Sequence, residues 1–135
     1  MSPLEFAKGG FTWEWGVCDC TLFCASWVFV ETGKDPGEGL RSTYSTAADA
    51  NAIVDKAGGM EAFIGKRLEE CGFARCIARK DGDIGLVEVP TGISIDNVSV
   101  KVIPAIAWGP LWVAMSARGP AIKQMAWTGA AWRIE

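Results

Sequence analysis

The chain has no histidine among its 135 residues. Imidazole is the only common side chain whose ordinary pKa lies near neutrality, so the usual general base of cysteine and serine chemistry is missing. Runs of like charge are missing too. Thirteen Lys and Arg stand against 16 Asp and Glu, a net charge of −3, which argues against a surface that tracks nucleic-acid phosphates. The longest mostly apolar run, Cys20 to Val30, has 11 residues against the roughly 20 that a spanning helix requires. No membrane span is expected. The start, Met1-Ser2-Pro3-Leu4-Glu5-Phe6, is not a basic segment followed by an apolar one, so no export signal is visible and a cytoplasmic or particle-borne protein is expected. Repeats, low-complexity tracts and Pro/Ser linkers are also lacking, which leaves one domain, residues 1–135.

Apolar side chains are abundant. Half the residues are hydrophobic, seven are Trp and six Phe, the reverse of a disordered composition. With so many in a small domain, some Trp must reach the surface, and protein partners or self-association through an apolar patch are expected. The five cysteines, Cys18, Cys20, Cys24, Cys71 and Cys76, form an odd set without regular spacing, which fits a reducing compartment.

The character of the chain changes near residue 72: the first part reads helical, and residues 73–135 read as short strands. Phe11 to Gly16 is an aromatic lead-in, and Asp19 is a favourable cap for a helix from about Cys20 to Glu31, stopped by Gly33. Leu22, Phe23, Ala25, Trp27, Val28, Phe29 and Val30 surround that helix on nearly all sides, so it is expected to be central and buried. Lys34 to Gly39 is turn chemistry. Thr46 with Asp49 resembles a capping box opening a helix to Ala57, and an amphipathic helix is expected over Met60 to Cys71. Strands are expected at 73–78, 84–89, 93–95, 98–103, 111–115, 121–127 and 131–134. The fold class is therefore α+β, with an antiparallel sheet or small barrel covering the buried helix.

Cys20 falls in the first turn of that helix, where free N–H groups and the helix dipole favour a thiolate. The run Trp15-Gly16-Val17-Cys18-Asp19-Cys20-Thr21-Leu22-Phe23 resembles the Asp-Cys motif that opens the central helix of NlpC-type papain-like peptidases and amidases. Arg79-Lys80-Asp81-Gly82-Asp83-Ile84 resembles that superfamily's Gly-Asp entry to the first barrel strand. Over nearly its full length the chain is similar to a family of small phage and prophage proteins related to NlpC domains. The marks are Trp15-Gly16, Asp19-Cys20, Gly33-Lys34-Asp35-Pro36, Arg41 to Thr46, Gly82-Asp83 and Ala131-Trp132-Arg133-Ile134.

The resemblance implies a papain-like fold with Cys20 as a nucleophile position, Asp19 beside it, and Trp13, Trp15, Gly82 and Asp83 flanking a cleft. It also implies a histidine base around Thr91 to Ser94, where this sequence has none. Asp81, Asp83 and Asp96 lie in the right part of the chain, but a carboxylate base would need its pKa raised by several units. The expected role is thus a non-catalytic structural or adaptor component of a phage tail or phage-like particle. The alternative is a cysteine hydrolase of peptidoglycan with an unconventional or partner-supplied base.

Plainer roles exist for each residue. With the histidine missing, Cys20 reads first as a small buried hydrophobe or an idle nucleophile position, Asp19 as a helix cap, Gly82-Asp83 as a turn entering a strand, and the Trp residues as core and lid. Cys18, Cys20 and Cys24 fit structural zinc spacing poorly, and no cofactor is expected.

Overall fold

The computed structural model describes residues 1–94 and 97–135. It begins with a short helix, α1 (Pro3–Ala7), closed by Ser2, whose hydroxyl accepts from the Glu5 N–H at 3.1 Å. Five residues are too few to show a helical period, although Ser-Pro-x-Glu is a legible cap.

Helix α2 (Cys20–Thr32) starts at Asp19 and ends at Gly33, whose φ of 78° is the left-handed stop that glycine adopts without strain. Leu22, Phe23, Cys24, Ala25, Trp27 and Val28 are buried, but Phe29 and Val30 are each 54% exposed. The expectation of a helix buried all round therefore holds only for its first two and a half turns. Helix α3 (Ala47–Lys56) is capped by Thr46, which accepts from the Asp49 N–H at 3.1 Å. Helix α4 (Met60–Glu70) turns Phe63, Ile64 and Leu68 inward, as its amphipathic pattern requires.

Six strands follow: β1 (Ala74–Cys76), β2 (Ile84–Ser94), β3 (Asn97–Trp108), β4 (Leu111–Ser116), β5 (Gly119–Lys123) and β6 (Ala126–Arg133). All pair antiparallel in one sheet, in the order β1-β6-β2-β3-β4-β5. The expected strand over 121–127 is two strands, β5 and β6, separated at Gln124-Met125, and 131–134 largely belongs to β6. The expected strand at 93–95 is the end of β2, with Ile95 outside the described residues.

The sheet buries both faces. Ile84, Leu86, Ile106, Val113, Met115 and Trp132 join the α2 side chains in the main core. The alternate positions Val87, Ile103, Ala105, Ala107, Trp112 and Ala114 form a second cluster that also contains Cys20. Consecutive buried residues at 105–107 and 112–115 are the sign of a strand covered on both sides rather than one washed by solvent. Trp27, Trp112 and Trp132 are almost fully buried, and each removes roughly 150–250 Å² from water. Trp27 keeps its polar atom satisfied by donating Nε1–H to the Gly82 carbonyl at 2.9 Å.

Beyond Glu88, β2 has no described partner except β3, and before Ile106, β3 has none except β2. The far part of this hairpin is a two-stranded ribbon.

Candidate site around Cys20

Asp19 holds the entrance to α2 together. Its carboxylate is 1% exposed and accepts from the N–H groups of Thr21 (3.1 Å), Leu22 (2.9 Å) and Gly16 (3.1 Å), and from the Tyr44 hydroxyl. The first two are the unpaired donors that every helix start leaves over. The other two tie the preceding turn and the 35–46 loop to the same point. Burial, followed by the bond to Asp19, raises the Tyr44 phenol above its ordinary pKa.

The sequence singled out Asp19 and Cys20, and the structure places them side by side. Tyr44, part of the Arg41 to Thr46 motif, is a site residue that the motif alone does not mark; the one sequence signal is that it is the chain's single tyrosine. Lys101 was not anticipated. Its amine lies 5.7 Å from the centre of the Trp15 ring, and with Trp15, Asp19 and Cys20 it lines a cavity of about 30 Å³. That is close to the volume of one water molecule and too small for a peptide. Trp15 lines this cavity with Cys20, and Trp13 packs edge-on against Trp15 with ring centres 4.9 Å apart.

Gly82 and Asp83 do not flank this cavity. They line a separate one of about 630 Å³ near Trp27, which is about two turns along α2 from Cys20. The Asp83 carboxylate is 2% exposed and is held by Arg133 (3.1 Å) and the Lys80 N–H (2.8 Å). It is a half-buried ion pair, a buried carboxylate under a partly exposed guanidinium, fastening the end of β6 to the start of β2. Asp81 accepts from the Gly109 N–H at 2.7 Å. Asp96 and the side chains of Thr91 to Ser94 lie outside the described residues.

The thiol itself departs from expectation. Cys20 is 6% exposed, and burial, reinforced by the Asp19 charge, pushes its pKa up to about 11, with Lys101 opposing more weakly. Desolvation outweighs the helix-start effect that the sequence suggested. Cys24 is raised for the same leading reason. At neutral pH only about one Cys20 in ten thousand is thiolate. We expect alkylation of Cys20 by iodoacetamide, mapped by mass spectrometry, to be slower than at the half-buried Cys18 and Cys76 and to accelerate up to about pH 11. Faster labelling of Cys20 than of those two at neutral pH would refute this. Because the unfolded thiol ionises near 9.0 while the folded one holds its proton until about 11, the folded state binds more protons in that window. Its stability falls as pH rises through it.

Among the described residues, no group of three or more Cys, Asp or Glu is placed to hold a metal ion. No described helix is long and apolar enough to cross a membrane. The site is a fully engaged carboxylate beside a protonated, enclosed thiol, in a domain whose matched sequence runs almost end to end: residues 7–134 fit the model of the family described as "Domain of unknown function (DUF6950)". The chain belongs to the DUF6950 family. No curated protein and no solved structure matches it. In this DUF6950 member, every structural element from α2 to β6 lies inside the matched span.

Proposed function

We propose that the chain is a non-catalytic domain of NlpC-like, papain-like descent, serving as a structural or adaptor component of a phage tail or phage-like particle. It would be made in the cytoplasm of the producing cell and carried in the assembled particle. The observation that supports the non-catalytic part is the state of Cys20: a thiol raised to about 11, packed among apolar side chains, whose adjacent carboxylate already accepts four hydrogen bonds. A nucleophile needs a proton acceptor within hydrogen-bond reach and room for a substrate. The tail and particle part rests on the sequence resemblance alone.

The test is release of soluble fragments from purified peptidoglycan, followed by mass spectrometry, with the native chain and Cys20→Ala side by side. We expect no release that depends on Cys20. Release by the native chain that disappears in Cys20→Ala would overturn the proposal and establish the hydrolase. Mass spectrometry of purified particles from a producing strain tests the location, where absence of the chain would count against a tail role.

A further inference from the structure

We infer that the chain assembles head to tail with copies of itself, an acidic groove at the C-terminal ends of α2 and α4 receiving the basic edge strand β5 of the next copy. The inference goes beyond the proposed function and does not depend on whether Cys20 is catalytic.

The groove holds about 690 Å³ and is walled by Phe29, Lys34, Glu38, Glu70 and Cys71. Phe29 and its neighbour Val30 are each 54% exposed, although every earlier large apolar residue of α2 is buried. An exposed aromatic at the rim of a groove is the kind of feature that marks a contact surface. The charge of the groove selects its occupant. Two helices end there, α2 at its cap Gly33 and α4 at its cap Cys71, and each end carries a partial negative charge. The last turn of α2 contains no basic residue to offset it, whereas α4 has Arg67 in its last turn, spent on the Pro36 and Glu38 carbonyls. Glu38 and Glu70 are exposed and form no ion pair among the described residues. Lys34, the one cation among the described wall residues, is already engaged: its amine donates to the Cys71 carbonyl at 2.8 Å and lies over the Phe73 ring. The groove therefore favours an apolar residue flanked by cations.

The chain carries such a segment. At the other end of the sheet order, β5 pairs, among the described residues, only with β4, and no described strand lies on its outer edge. Ile122 is 37% exposed there, Lys123 follows it, and Arg118 stands at the turn into the strand, with neither cation in an ion pair among the described residues. One surface adjoins β1 through Cys71 and the other is β5, so they occupy opposite ends of the sheet. Contacts between two different surfaces of one chain propagate, giving a closed ring or an open filament.

Sedimentation velocity over a wide concentration range, at low and high salt, provides the test. The native chain is expected to associate at low salt and to dissociate as salt screens the charges. Two exposed double variants, Glu38→Lys with Glu70→Lys and Arg118→Glu with Lys123→Glu, should each weaken association at least about tenfold, because each brings like charges together. Their one-to-one mixture should associate again, since each groove then meets an edge of opposite charge. Circular dichroism confirms that the variants are folded. A native chain that stays monomeric at every concentration, with Lys123 merely protecting a sheet edge, would overturn the inference. So would association that survives both reversals, or a mixture that fails to recover.

Discussion

Asp19→Ala is expected to lower the folding stability by roughly 3–4 kcal/mol. The loss of a helix cap alone accounts for about 1 kcal/mol. The remainder comes from position, because this carboxylate is also the acceptor for the Gly16 N–H and the Tyr44 hydroxyl in a buried setting. Each buried donor left without a partner costs about 1–3 kcal/mol, and the small cavity beside Asp19 lets water relieve only part of that. Asp19→Asn should lose less, since its remaining carbonyl oxygen can still serve Thr21 and Leu22 at the helix start. Urea denaturation of the two variants checks both the size and the order. Equal losses for Ala and Asn would mean that the negative charge, rather than the geometry of the acceptor, holds the turn.

The second large effect is expected from Gly16→Ala, a loss of about 3 kcal/mol. Gly16 has a φ of 77°, and a Cβ added there would run into the Tyr44 backbone carbonyl. Backbone cannot swing aside as a flexible side chain can, so the 42–44 loop must move. That loop is bound to the same turn, with the Ser42 N–H donating to the Gly16 carbonyl at 2.8 Å. Shifting it draws the Tyr44 hydroxyl away from Asp19. Gly16→Ala and Tyr44→Phe should therefore be non-additive, the double variant losing less than the sum of the two. Strict additivity in denaturant unfolding would show that the turn and the tyrosine act separately.

Much of this arrangement was legible before the fold was known, for local reasons. Asp19, Gly33 and Thr46 are short-range signals: each satisfies or ends a helix through atoms within a few residues, and the two helices they bound, α2 and α3, begin and end within about two residues of expectation. The strands were harder to delimit. Ala121 to Trp127 reads as one β-prone run, and only pairing with β4 on one side and β2 on the other separates it into two. The burial of the thiol agrees with its plainer reading, but the helix-start effect on its ionisation is overridden, because the helix start is a local feature while desolvation is set by residues far away in sequence, such as Ile103 and Val87. Gly82 and Asp83 were assigned to the wrong cavity for a similar reason. Their motif gives the start of β2, but only the tertiary fold shows that this start meets Trp27 rather than Cys20.

The place of β6 bears on how the molecule can be made. The strand formed by residues 126–133 lies between β1 and β2, joining residues read early in the β half to the strand read next. Until those residues leave the ribosome, β1 has no partner and one side of β2 is bare. The hydrophobic face meant for Trp132 also stays open to water. The nascent chain can form its helices and the β2–β5 meander in order, but it cannot close. Completion waits for residues 126–133, and until they pair, slow long-range contacts and exposed strand edges invite wrong partners.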